Sequence, residues 1–427
     1  MKIILFNLLF AAVFPFLLPS YLIRMVRRGG YKARLADRFA LYPREIVSRF
    51  ARAGKRPVWI HAVSVGEVQV AGQLMKEWRK AEPDVWFCFS TTSSTGWKIA
   101  EKEIAGDDVL IYNPLDFPNF VKSALKTVRP RAIVLTESEI WPVFIDKAAK
   151  YGIKLFLINA RISDRSAPRY KAMRFLFKDV FAGFTKIFAQ SALDRDRLLS
   201  AGAPEEIIEV TGSFKFDVAR RNPKKEAEMR EWIGEGRILL GGSTWPEEDK
   251  MMLEAWNGRP DCKLVIAPRH FEKADKIEEN IVAAGYRCVR RSRGDKATGE
   301  GKEVFLADTT GELMGLYGIA DVVFVGKSVY AVGSQNMIEP CFCGKKTVVG
   351  PHTENFRSVM ADLLQARAIV QTKDAAETKE CIAKMCNGEM GELVDRAKEA
   401  CLKRCGVVER CVKDIRGRIR IVTGSEA

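Results

Sequence analysis

The chain has 427 residues, of which 47% are hydrophobic and 29% charged, and it carries a formal net charge of +15 at pH 7. That balance excludes a disordered or fibrous protein, and the length exceeds one compact core, which leaves about two domains and an appendage. Ten cysteines without regular spacing exclude a disulfide framework, and the closest pairs (Cys341/Cys343, Cys381/Cys386, Cys401/Cys405) lack the C-x-x-C spacing of a zinc knuckle, so no metal is expected.

In chain order, the first feature is an uncharged apolar run from Ile3 to Ile23, about 21 residues, which at roughly 1.5 Å each can cross a hydrocarbon core of roughly 30 Å. Only Lys2 precedes it and arginines follow it, which is not the pattern of a cleaved signal peptide. The run is expected to be a retained anchor, with Arg24 and everything beyond it on the cytoplasmic side. Pro15 and Pro19 leave open a bent helix lying in one leaflet. Between Arg24 and Arg56 stand eleven basic residues against Asp37 and Glu45. Directly after an apolar run, such a cluster suits anionic lipid headgroups better than nucleic acid.

Beyond residue 57 one pattern repeats: a short apolar run, a loop with Gly, Ser or Thr, then an amphipathic helix. The runs begin Val58–Val63, Val85–Ser90, Val109–Tyr112 and Ala132–Leu135. A second series starts at Ile238–Leu240 and Lys263–Ile266, after a polar stretch from Asn222 to Glu235 that reads as a linker. Continuous apolar runs alternating with helices predict parallel sheets covered on both faces. The expected division is an anchor over 1–28, a Rossmann-like domain over 29–221, a linker over 222–235 and a second Rossmann-like domain with a helical tail over 236–427. In such doubly wound α/β domains ligands sit beyond the carboxyl ends of the strands.

The candidate chemistry lies at those ends. His61, His270 and His352, the three histidines of the chain, each follow an apolar run. Ser64-Val65-Gly66-Glu67 has the form of a helix capping box, and it also offers a strand-end carboxylate that can take a proton from a hydroxyl. Thr136-Glu137-Ser138-Glu139-Ile140-Trp141-Pro142 sets two carboxylates beside a tryptophan, and Lys215 lies at the mouth of the cleft expected between the domains. The second half holds Gly-rich turns at Gly241-Gly242-Ser243-Thr244, Thr310-Gly311-Glu312 and Gly333-Ser334-Gln335-Asn336, with Pro268-Arg269-His270 and Glu339 nearby in the pattern. Free amides at such turns favour an anion, and Arg269 and Glu339 suit phosphate and ribose hydroxyls, so a nucleotide site is expected. Neither a G-x-G-x-x-G fingerprint nor a Walker motif occurs, which argues against NAD and against ATP hydrolysis.

Taken in order, His61-Ala-Val-Ser-Val-Gly-Glu67, Thr136-Glu-Ser-Glu-Ile-Trp-Pro142, Asn159-Ala-Arg-Ile-Ser163, Thr211-Gly-Ser-Phe-Lys-Phe-Asp217, Pro268-Arg-His270, Thr310-Gly-Glu-Leu-Met314 and Gly350-Pro-His-Thr-Glu-Asn-Phe356 resemble the motif series of bacterial 3-deoxy-D-manno-octulosonic acid (Kdo) transferases. The resemblance implies a GT-B fold with an N-terminal membrane anchor. It implies an inverting, metal-independent and cofactor-free transfer of Kdo from CMP-Kdo to a lipid A precursor (lipid IVA) in lipopolysaccharide biosynthesis, at the cytoplasmic face of the inner membrane. The first domain would bind the acceptor and the second the CMP-sugar. Glu67 matches the family's general base, and Glu137 and Lys215 match positions assigned to transition-state stabilisation. Pro268, Arg269, Thr310, Gly311, Glu312 and the segment Asn336, Met337, Ile338, Glu339 match its CMP-binding elements. The implied partners are CMP-Kdo, the lipid A precursor and anionic membrane lipids, with no nucleic acid.

Two positions depart from the family pattern: Gly326-Lys327-Ser328 stands for Gly-Gly-Ser, and Gly333-Ser334-Gln335-Asn336 for Gly-Gly-His-Asn. A histidine is lost near the phosphate and a lysine gained. The alternatives are another membrane-anchored GT-B transferase using a different nucleotide sugar, or a tethered nucleotide-binding module in which Glu67 only caps its helix.

The basic segment makes the first prediction. Surface attraction of roughly 1 kcal/mol per basic residue fades beyond a Debye length, so binding to anionic vesicles weakens steeply as salt rises in a flotation assay. Salt-independent binding would show that the apolar run alone drives association.

Overall fold

The computed structural model describes residues 34–219, 221–299 and 302–423. The expected anchor and the basic residues from Arg24 to Lys32 lie outside them. Among the described residues no helix is long and apolar enough to cross a membrane. All ten cysteines are free thiols.

The chain forms two compact units, one from the chain up to Phe214 together with the segment from Gly406, the other from Lys215 to Cys405. The first holds strands β1 (Val58–His61), β2 (Phe87–Thr91), β3 (Val109–Tyr112), β4 (Ala132–Thr136), β5 (Lys154–Ala160), β6 (Lys186–Ala189) and β7 (Ile208–Val210). They pair in the order β3-β2-β1-β4-β5-β6-β7, all parallel. The second unit holds β8 (Arg237–Thr244), β9 (Cys262–Pro268), β10 (Arg287–Arg290), β11 (Glu303–Leu306), β12 (Val322–Val325), β13 (Lys346–Val349) and β14 (Val370–Gln371). Their order is β10-β11-β9-β8-β12-β13-β14, again all parallel.

Burial explains why these runs are continuous rather than alternating. Val58, Trp59 and Ile60 of β1, and Ala132, Ile133, Val134 and Leu135 of β4, are fully buried because helices cover both faces of the sheet. The strand order reverses between β1 and β4 in the first unit and between β8 and β12 in the second. At such a switch point the loops leave in opposite directions and open a crevice beyond the strand ends.

Two expectations are corrected. The polar stretch assigned to a linker is a helix, Pro223–Ile233, capped by Asn222, whose Oδ1 accepts from Lys225 N at 3.1 Å. Its apolar face is narrow, Met229 and Ile233, and it lies close on helix Leu313–Ile319. A Cβ at Gly315 would meet Lys225 O at 2.7 Å, so the backbones approach only because that residue is glycine. The tail assigned to the second domain is divided: helix Val407–Thr423 belongs to the first unit. It buries Val408, Cys411, Val412 and Ile415, and Arg416 Nη2 donates to Ala81 O at 2.6 Å at the end of helix Val65–Ala81.

Helix Pro142–Lys150, which follows β4, has no side-chain cap of its own. Asp116, buried in the loop after β3, supplies one: its carboxylate accepts from Val143 N at 3.1 Å and Phe144 N at 2.7 Å. Burial pushes its pKa from 3.8 to about 6, against the pull of those two amides. A carboxyl group raised on folding contributes stability that is present below its unfolded pKa of 3.8 and is lost as pH rises through about 6. Between pH 4 and 7 the stability of the wild type relative to Asp116→Asn therefore falls by about 2 kcal/mol in urea titrations. A difference independent of pH would contradict this.

Candidate active site

At the β1/β4 switch point, β1 ends at His61 and the chain turns through Ala62 and Val63 into helix Val65–Ala81. Ser64 caps that helix, its Oγ accepting from Glu67 N at 3.3 Å. Glu67 reaches back: its Oε2 accepts from Val63 N at 2.9 Å and from Thr136 Oγ1 at 3.2 Å, and its Oε1 from Ser64 Oγ at 2.8 Å. Glu67 thus closes a capping arrangement and also stands at a strand end against β4. Burial raises its pKa above the ordinary carboxylate value, as do the negative charges of Glu139 and Glu137 in that order, opposed by the Val63 amide and the Ser64 hydroxyl.

Glu137, the first residue beyond β4, has φ of +50°, a left-handed conformation uncommon without glycine. Its amide donates to Ile158 O at 2.9 Å, and its carboxylate accepts from Asn159 Nδ2 at 3.2 Å and from Arg161 Nε at 2.7 Å. Asn159, itself at φ +51°, accepts from Phe214 N at 3.0 Å through Oδ1 and so ties the Thr211–Phe214 segment to the same site. Non-glycine residues in that region cost about 1–3 kcal/mol each and persist where the surroundings over-determine them. Glu139 takes Trp141 Nε1 at 3.0 Å. His61, fully buried, faces it with Nε2 3.5 Å from Glu139 Oε2.

The β8/β12 switch point is built around a residue that sequence reading passed over. Glu248 is fully buried and accepts four backbone amides: Trp245 N (2.7 Å) and Lys327 N (2.8 Å) on Oε2, Ser328 N (3.0 Å) and Val329 N (3.2 Å) on Oε1. Burial raises its pKa, opposed by those amides. The clamp holds Lys327 at φ +58°, with its ammonium 5.1 Å from the Trp245 ring centroid. Trp245 in turn meets His270 edge to face at 4.6 Å. Gly326 is required there, because a Cβ would lie 2.3 Å from Ser243 O. Ser334 N and Gln335 N donate to Lys327 O and Gly326 O at 2.9 and 3.1 Å, which joins the Gly333–Asn336 turn to the same loop.

The remaining expected residues are distributed around these two centres. Pro268 ends β9, and Arg269 is exposed, with its amide on Thr244 O at 3.0 Å. Thr310 and Gly311 are exposed in the turn after β11, while Glu312 is buried and paired with Arg291 at 3.0 Å and with the Thr309 hydroxyl. Asn336 accepts from Ile338 N at 3.1 Å. Met337 and Ile338 are fully buried in the core, so only their main chain remains for a ligand. Burial raises the Glu339 carboxyl, opposed by the Asn336 side chain. Lys215 opens the second unit, its ammonium 4.7 Å from the Phe356 ring centroid.

A family model described as 3-deoxy-D-manno-octulosonic-acid transferase (kdotransferase) matches residues 33–218. The 3-deoxy-D-manno-octulosonic acid transferase of Bordetella pertussis is 34% identical over 77% of this chain and 80% of its own length. A bifunctional glycosyltransferase/methyltransferase of Fusobacterium nucleatum is 31% identical over 75% of this chain, which spans 51% of that longer protein. The crystal structure of a glycosyltransferase from Rickettsia africae ESF-5 covers 86% of this chain and 99% of its own, with a TM-score of 0.54 and 14% identity, a likeness of fold. The motif segments, the strand-end carboxylates and the Bordetella relative agree: this chain belongs to the 3-deoxy-D-manno-octulosonic acid transferase family of glycosyltransferases.

Proposed function

We propose that this protein transfers Kdo from CMP-Kdo to a lipid A precursor, with inversion at the anomeric carbon, in lipopolysaccharide biosynthesis at the cytoplasmic face of the inner membrane. The observation that carries the reading is the carboxylate cluster at the β1/β4 switch point, in a chain of this family. As the acceptor oxygen attacks the anomeric carbon, its proton passes to Glu67 and CMP departs with the bonding pair on its phosphate oxygen. Burial and two neighbouring charges make Glu67 a stronger base than an exposed carboxylate. Glu137, fixed by Asn159 and Arg161, and Lys215 stabilise the transition state, Lys215 through the charge that develops on the phosphate.

The second unit takes the nucleotide through Pro268, Arg269, the Thr310-Gly311-Glu312 turn and the segment from Asn336 to Glu339, with Lys327 as a phosphate donor where the family pattern has glycine. CMP carries one phosphate, so no diphosphate-bridging metal is required. The apolar run from Ile3 to Ile23 and the basic segment after it hold the enzyme to anionic lipid.

Glu67→Gln separates base from cap. The amide keeps the length and one acceptor oxygen, so the variant melts near the wild type, with a loss of at most about 1 kcal/mol, and binds CMP normally. Its turnover falls roughly 10²–10⁴-fold, because an amide has no useful proton affinity. Transfer at a rate near that of the wild type would remove Glu67 from the chemistry.

A further inference from the structure

Three carboxylates gather at the β1/β4 switch point, and their hydrogen bonds are unequal. Both oxygens of Glu137 are engaged, by Asn159 and Arg161, and both oxygens of Glu67, by Ser64, Val63 and Thr136. Glu139 differs. Its Oε2 receives Trp141 Nε1 at 3.0 Å and faces His61 Nε2 at 3.5 Å, while its Oε1 has no hydrogen-bond partner among the described residues. Its side chain is also 17% exposed, whereas that of His61 is wholly buried.

His61 has the complementary irregularity. Its Nδ1 edge is fixed from behind by Ser90, at 3.0 Å from the carbonyl oxygen and 2.9 Å from the hydroxyl. Its Nε2 is a fully buried polar atom with no formed hydrogen bond, and the 3.5 Å approach to Glu139 is too long and too poorly aligned to count as one. Buried polar atoms are rarely left in this state, and hydrogen bonds in unliganded sites are often long and tighten when substrate binds. An imidazole locked on one edge, an indole N–H on the same carboxylate oxygen and a second oxygen left open describe a group held ready for a ligand.

We propose that Glu139 contacts the acceptor: its Oε1 accepts a hydrogen bond from a sugar hydroxyl of the acceptor and orients it beside Glu67, with His61 and Trp141 as positioning residues for Glu139. A hydroxyl suits the place, because it donates to a carboxylate, whereas the acidic cluster repels an anionic group. This inference rests on the proposed transfer, and it assigns Glu139 to acceptor binding rather than to the proton transfer given to Glu67.

The test is steady-state transfer with lipid IVA varied at saturating CMP-Kdo, for wild type, Glu139→Gln and His61→Asn, with melting and CMP titration as controls. A hydrogen bond to a charged group predicts that Glu139→Gln raises the acceptor KM about 10- to 100-fold with CMP affinity unchanged, while loss of the charge beside Glu67 lowers kcat by less than that. His61→Asn moves KM in the same direction by less. An unchanged KM in Glu139→Gln, or a fall in kcat alone, overturns the assignment. Direct titration of lipid IVA separates this from the transfer reading: if the wild type binds lipid IVA but transfers nothing, the transfer reading fails, and weaker binding by Glu139→Gln still supports Glu139. Equal binding by the two proteins, or none by either, overturns it.

Discussion

Where a parallel strand ends, its backbone amides lose their ladder partners, and a loop that turns back toward a helix must find acceptors for them inside the protein. In this chain buried carboxylates provide many of those acceptors. Glu248 takes four amides at the β8/β12 switch point, Asp116 takes two at the start of helix Pro142–Lys150, and Glu67 takes that of Val63 at the β1/β4 switch point. Each is buried far enough that desolvation raises its pKa. Removing one partner of such an arrangement leaves several donors unsatisfied, at roughly 1–3 kcal/mol each. The loops beyond the strand ends are therefore rigid where chemistry needs placement, and they carry left-handed residues such as Glu137, Asn159 and Lys327 that a looser loop would relax.

The same constraint ties cap to strand end in the first unit. The hydrogen bonds that let Glu67 close the start of helix Val65–Ala81 also hold its carboxylate against Thr136 on the neighbouring strand. The carboxylate is thereby fixed by the helix it caps. Glu137 and Glu139, two residues apart, take opposite environments because the left-handed turn at Glu137 sends one toward Asn159 and Arg161 and the other toward His61 and Trp141.

Much of the fold was legible because its strands are buried on both faces. Runs such as Val109–Tyr112 and Ala132–Leu135 carry no polar interruption, and they emerged as strands within a residue of the expected bounds. Helix Pro223–Ile233 was illegible for the opposite reason: its buried face is little more than Met229 and Ile233, and its packing depends on glycines in a partner helix about 90 residues away. The tail helix was placed in the wrong unit because its partner, helix Val65–Ala81, lies near the other end of the chain. At the candidate site, short motifs marked Glu67, Glu137 and Glu139, since each sits within a few residues of its strand end. Glu248 left no such mark: its amide partners at Lys327, Ser328 and Val329 lie 79–81 residues away in sequence. Met337 and Ile338 illustrate the converse, a motif match whose side chains belong to the core.

The central claim is the reaction itself, and mass spectrometry of the lipid product tests it most directly. Lipid IVA incubated with CMP-Kdo and the purified full-length protein should gain one or more Kdo units with release of CMP, and the new glycosidic bond should have the anomeric configuration opposite to that of the donor. No mass gain with CMP-Kdo, alongside sugar transfer from a UDP- or GDP-linked donor, would contradict the account.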